Sequence, residues 1–279
     1  MNYKLFQNRV TVFTGSGKGS GKTSALQATA VEAQRVGAVG LFTIGFGGGG
    51  KSPLLRVERG DVVITSIPLL RASEASLDII EALPGRSAIG QLCVCSVVRP
   101  GAVTLAGPEH LSQLAQAIGF ILQDNLVKSV LVDGAAGRIT QVAALPDAQF
   151  IYCAQADAAN FVRVAENIEF ISKLADLPLD AQDNRDEDNR LRIEGPLTLS
   201  MIGTIQDKVE HISIGTLSDC FLDPASFKRL SQRFKITARR RIPLLGFVVA
   251  LKNIKRETFL DALQTASSRI IFNPYEVSG

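Results

Sequence analysis

The feature that most constrains this chain is a run of alternating small residues wedged between an apolar stretch and a helix-forming stretch. Val10-Thr11-Val12-Phe13 is apolar and β-branched, the composition of a buried strand. Thr14-Gly15-Ser16-Gly17-Lys18-Gly19-Ser20-Gly21-Lys22-Thr23 follows, and from Ser24 to Val36 come helix formers that stop at Gly37. Eleven of the 24 glycines fall between Gly15 and Gly50, so an ordinary glycine content hides a local concentration. Strand, glycine loop, Gly-Lys-Thr and helix together form the context that a phosphate-binding loop requires. Glycines let successive backbone N–H groups turn toward a polyphosphate without Cβ clashes, and the helix that follows points its positive end at the same oxygens. Glycine turns of this kind also join strands to helices without any ligand.

The expected ligand contacts run from Gly15 through Ser16, Gly17, Lys18, Gly19, Ser20, Gly21, Lys22 and Thr23 to Ser24. Lys22 reaches the β- and γ-phosphates in this reading and acts in catalysis, while the Thr23 hydroxyl ligates Mg²⁺. A second segment supplies the matching acid. Ser129-Val-Leu-Val-Asp133-Gly134 reads as a buried strand ending in a carboxylate and a glycine turn. Asp133 at such a strand end is placed to hold the Mg²⁺ shell and to act beside Lys22. Alone, Asp-Gly after a strand is a common turn. The cofactors expected are therefore ATP and Mg²⁺, ATP because no Asn-Lys-x-Asp guanine motif is present.

Phe13-Thr14-Gly15-Ser16 followed by Gly21-Lys22-Thr23 resembles the first motif of the dethiobiotin synthetases and cobyrinate a,c-diamide synthases. Val132-Asp133-Gly134-Ala135-Ala136-Gly137 resembles the Val-Glu-Gly-Ala-Gly-Gly segment of the former, whose acid binds magnesium. The resemblance implies a P-loop NTPase of the class that includes division-site ATPases and metallochaperone NTPases. It covers two short motifs and the order of strands and helices, not a substrate site. Five residues separate Gly15 from Gly21, one more than the usual spacing, and Lys18 lies four positions before Lys22 where the class's signature lysine lies five. The strand from Ala38 to Ile44 runs into Gly45–Ser52 instead of a substrate lysine.

Elsewhere the pattern alternates strands with helices, which implies an α/β fold with a doubly wound, mostly parallel sheet. Strands are expected near 60–67, 91–98, 102–106 and 150–153, with helices near 71–83, 107–122 and 161–177. Gly45–Ser52 reads as a loop, or as a lid carrying Lys51; Arg138 reads as an anion contact or a surface residue. The domain reading is a nucleotide-binding core over 1–178, an acidic exposed linker over 179–194 and a smaller C-terminal α/β unit over 195–279. That unit is expected to hold strands near 197–203, 212–217, 235–241, 246–251 and 269–272, with helices after Pro224 and over 257–266.

The net charge of +3 is also a cancellation. Ser226–Arg256 carries ten basic residues and no acidic one, leaving a net of −7 for the rest of the chain. A basic stretch of this kind suits an acidic protein partner or an anionic substrate, with nucleic acid less favoured because stacking aromatics are sparse. A homodimer stays open. Cys93 and Cys95 lie on one strand face, and with Cys153 and Cys220 they match no zinc spacing, so core packing is expected. His110 and His211 carry no motif, and no Gly-x-Ser-x-Gly elbow supports a serine hydrolase. No apolar run spans a bilayer and the opening residues do not form a signal peptide, so a cytoplasmic protein without a membrane partner is expected. The leading functional expectation is an Mg²⁺-dependent NTPase driving a small-molecule or protein-remodelling step. The alternatives are a nucleotide-switched accessory or reactivating protein for a partner enzyme, and a loop that binds no nucleotide.

Overall fold

The computed structural model describes residues 3–45, 54–84, 87, 89–134, 139–145, 147–180 and 189–272. The first half of the chain forms β1 (Val10–Gly15), α1 (Lys22–Gln34), β2 (Val39–Thr43), β3 (Leu54–Val57), β4 (Val62–Ser66), α2 (Ile67–Arg71) and β5 (Ser76–Ala82). It continues through β6 (Leu92–Arg99), β7 (Gly101–Thr104), α3 (Leu111–Gln123), β8 (Ser129–Asp133), α4 (Thr140–Ala143) and β9 (Ala148–Asp157). The second half forms α5 (Phe161–Ala175), β10 (Arg190–Arg192), α6 (Leu199–Ile202), β11 (His211–Ile214), α7 (Pro224–Arg233) and β12 (Lys235–Ala238). It closes with β13 (Leu244–Lys252), α8 (Arg256–Asp261) and β14 (Ile270–Ile271).

The protein is α/β, built on a nine-stranded sheet in the order β14-β13-β9-β1-β8-β2-β4-β6-β5. The central pairs β9–β1, β1–β8, β8–β2 and β2–β4 are parallel, whereas β4–β6 and β6–β5 are antiparallel. β1, β2, β4 and β8 are buried along their whole length, which is why they read as unbroken apolar runs and not as alternating ones. On one face, Phe13, Leu41 and Leu131 join Ala25 and Leu26 of α1 in a single buried cluster. On the opposite face lies Gly40, where an added Cβ would press on Ile121 of α3 and on Val130. The absence of a side chain there lets α3 approach the sheet.

The chain leaves β1 through α1 for β2, stepping over the place later filled by β8; from β8 it steps back over β1 to β9. Connections that depart in opposite directions from neighbouring parallel strands open a crevice at their carboxyl ends. β1 and β8 are those neighbours here.

Contacts divide the chain into two compact units: residues 1–155 with 245–250 and 271–279, and residues 156–244 with 251–270. The division does not follow the 1–178 and 195–279 ranges read from the sequence. α5 belongs to the second unit, and most of β13 returns to the first, because its strand residues complete the large sheet. The second unit carries its own sheet, β10-β11-β12, all parallel.

Several sequence expectations need correction. Residues 71–83 are not a helix: after the short α2 they form β5, because Leu77, Asp78 and Ile79 pair with β6. The stretch 197–203 is not a strand but the short α6, with Leu197 held by a single bridge to Cys220. Part of the 179–194 segment is ordered as β10, since Leu191 aligns with Ile212. Gly45–Ser52 beyond Gly45, Arg138 with 135–137, and 181–188 lie outside the described residues. Among the described residues, no helix is long and apolar enough to cross a membrane.

Candidate functional site

The site grows from the end of β1. Gly15 pairs with Cys153 of β9, and a Cβ on it would overlap the Cys153 carbonyl and crowd Ser20 Oγ. Only glycine lets the chain turn here while Ser16 N–H still donates to the Cys153 carbonyl at 3.1 Å. The turn continues through Gly19 and Gly21, whose φ values of +81° and +84° lie in the left-handed region that favours glycine. Gly21 is the residue before α1, and no side chain caps the helix, so the first N–H groups of α1 stay available to a ligand.

Inside this curl lies Lys22. Its Nζ donates to the Gly17 carbonyl at 2.9 Å and to Ser20 Oγ at 3.3 Å, while the Ser20 hydroxyl donates to the same carbonyl at 3.0 Å. Lys18 and Ser24 are exposed, and Ser16 and Gly19 are exposed beside them. The positive charge of Lys22 is therefore held at the centre of the loop, with Lys18 at its surface.

Thr23 Oγ1 donates to Asp133 Oδ2 at 2.8 Å, across 110 residues of sequence. Asp133 is the last residue of β8 and only 7% exposed. Burial pushes its carboxyl up from the ordinary range, against the Thr23 hydrogen bond and the Lys22 charge, which both pull it down. The backbone around it is pinned: its carbonyl accepts from Ile44 N–H at 3.1 Å and from Thr43 Oγ1 at 3.3 Å, and Gly134 N–H donates to the Phe13 carbonyl at 2.9 Å. Cys153 lies close enough to feel both Lys22 and Asp133, and burial pushes its thiol up to about 12, which keeps it protonated and inert.

Sequence reasoning missed how the third wall is made. Gly107 N–H donates to the Gly45 carbonyl at 3.1 Å and Gly45 N–H to the Pro108 carbonyl at 3.2 Å. A Cβ on Gly107 would overlap the Thr43 carbonyl. Gly107-Pro108 read as a helix start, yet α3 begins only at Leu111; the signal was the glycine itself, required by close approach to the end of β2.

The structure thus brings Gly15–Ser24 and Asp133 together at the carboxyl ends of β1 and β8. Among the described residues, no group of three or more His, Cys, Asp or Glu side chains clusters to hold a metal. The Thr23–Asp133 oxygen pair is the donor set that suits a hard cation such as Mg²⁺, which takes one or two protein oxygens and keeps several waters. The histidines stand apart. His110 precedes α3, and His211 is buried with Nε2 2.8 Å from Thr237 Oγ1. Cys93 and Cys95 are buried core residues with their sulfurs 3.5 Å apart. No protein-family model and no curated protein sequence matches this chain.

The basic stretch is partly an internal scaffold. Arg239 donates to the carbonyls of Ile193 and Ser213 at 3.1 and 3.2 Å, and Arg241 to that of Leu177 at 3.3 Å. Two of the three consecutive arginines therefore tie backbone together within the second unit.

Proposed function

We propose that the protein is a P-loop NTPase that binds ATP with Mg²⁺ and hydrolyses it. The observation that carries this reading is the 2.8 Å bond between Thr23 and Asp133, beside an ammonium already enclosed by the loop. Two segments far apart in sequence supply a polyphosphate cradle and an oxygen pair at one point. A glycine turn that only joined a strand to a helix has no need of a buried carboxylate aimed at the first turn of that helix.

The chain's own residues would divide the work as follows. Backbone N–H groups of 17–22 and the amino end of α1 hold phosphate oxygens. Lys22 exchanges its bonds to Gly17 and Ser20 for those oxygens and stabilises the charge that develops on the transferred phosphoryl group. Thr23 and Asp133 hold the metal, which when bound neutralises phosphate charge. Such chemistry rests on positioning and electrostatics, without a protein nucleophile.

Calorimetry of ATP binding with Mg²⁺ tests this directly. Lys22→Ala should weaken binding about 100-fold, the loss of a charge-assisted contact worth ~3 kcal/mol. Thr23→Ala should weaken it only when Mg²⁺ is present. Absent binding in the wild type, or equal binding in wild type and Lys22→Ala, overturns the reading.

A further inference from the structure

We propose that the second unit holds a separate binding site for a small organic anion, a phosphate or carboxylate joined to an apolar body, along β10. A cavity of about 610 Å³ lies there, within the 300–1,000 Å³ typical of small-ligand pockets. Its lining combines the cations Arg190, Arg192 and Lys208 with apolar residues that include Met201, Ile205 and Val209. Among the described residues β10 is an edge strand of its sheet, paired with β11 on one side.

One of these cations is held in place by the fold, while Arg192 and Lys208 are exposed. Arg190 lies 3.1 Å from Asp180 Oδ1, with the two side chains 21% and 14% exposed. Asp180 is held in turn by the Ser213 hydroxyl, which donates to Oδ2 at 2.6 Å. This chain fixes the half-buried Arg190 guanidinium at the cavity wall. Among the described residues, Glu194 is the one acid lining the cavity, and it is engaged by Arg192 at 2.7 Å and by Arg239 at 3.3 Å. With Arg190 set against Asp180 and Arg192 against Glu194, the cation of the described lining without a paired acid is Lys208. An anion bound there, beside the two guanidiniums, gains charge-assisted hydrogen bonds. The apolar lining residues favour anions that carry a hydrocarbon portion over free phosphate.

The site differs from the one the sequence suggested for an anion. The 226–256 stretch uses Arg239 and Arg241 on backbone carbonyls, whereas Arg190 and Arg192 come from a segment whose composition looks acidic and Lys208 from the stretch that follows it. The inference does not depend on nucleotide binding at Lys22.

The chain has two methionines, Met1 and Met201, and one of them lines the cavity, so methyl-13C-methionine NMR offers a direct test. The full chain is titrated with hexyl phosphate, hexanoate and neutral hexanol, and Met201→Leu assigns the signal. The Met201 methyl should shift saturably with an anion and bind it at least about tenfold more tightly than hexanol, as a charge-assisted hydrogen bond implies. The tighter of the two anions names the headgroup. Lys208→Gln, an exposed change that leaves the fold alone, should weaken binding several-fold; Arg190→Gln combined with Asp180→Asn should weaken it about tenfold or more without leaving an unpaired acid. No saturable shift, hexanol binding as tightly as the anions, or unchanged affinity in both variants overturns the proposal.

Discussion

Asp133 and Glu169 are both buried carboxylates, 7% and 6% exposed, yet the protein treats them in opposite ways. Glu169 on α5 accepts from the backbone N–H groups of Gln264, Thr265 and Ala266 and from the Thr265 hydroxyl, at 2.7–2.9 Å. Burial opposes its charge, but those hydrogen bonds outweigh burial and hold it at about 2. Among the described residues, the Thr23 hydroxyl is the one side-chain donor to Asp133, and burial wins, pushing its carboxyl up. The contrast separates two uses of the same group. A carboxylate with its lone pairs filled by the fold is a structural clamp. One left with a single donor at the carboxyl end of a central strand keeps coordination to offer a ligand.

The largest expected effect is on the clamp. Glu169→Ala should destabilise the protein by about 3–5 kcal/mol in urea denaturation, because three backbone donors, one of them on the buried Ala266, and the Thr265 hydroxyl lose their acceptor together. A loss below about 1 kcal/mol would break the distinction. Next comes its pH dependence. The folded value near 2 lies below the ordinary 4.5, so the contribution of ~3 kcal/mol is complete above about pH 4.5 and disappears as pH falls toward 2. Acid unfolding of Glu169→Gln should lack that slope between the two values. Asp133→Asn should change stability by less than about 1 kcal/mol, since the amide oxygen still accepts from Thr23 and no charge stays buried. The same variant should lower ATP turnover more than ATP affinity, measured by phosphate release and calorimetry; unchanged turnover would remove Asp133 from the catalytic role. The smallest effect sharpens the rule that satisfaction matters more than burial. Thr14 Oγ1 is fully buried and has no hydrogen-bond partner among the described residues, so Thr14→Val should leave thermal stability unchanged or raise it by up to about 1 kcal/mol.

Much of the first unit was legible because its signals are local. β1, β2, β4 and β8 are buried on both faces and read as short apolar runs, and Gly15–Thr23 combines turn chemistry with a helix start. β5 was misread as a helix because its residues face solvent at a sheet edge, five of the seven being exposed, so no core imposed an alternating pattern on Ser76–Ala82. Residues 197–203 have apolar positions that suit either state, and a bridge from Leu197 to Cys220 decided how the segment runs. Arg239 looked like part of a surface patch because sequence records its charge but not the Ile193 and Ser213 carbonyls that receive it.

The sequence by itself determined the pieces: a glycine loop ahead of Lys22 and Thr23, an apolar strand ending in Asp133, and an α/β alternation. These depend on steric freedom, hydrophobicity and residue spacing, which act within a few residues. The tertiary structure decided what those pieces meet. Inserting β8 between β1 and β2 set Asp133 against Thr23 across a sequence separation of 110. The approach of Gly107 to Thr43, the filling of Glu169 by the 264–266 backbone, and the gathering of Arg190 with Lys208 were decided in the same way. Each is a contact between distant segments, and no local propensity encodes which distant segment arrives.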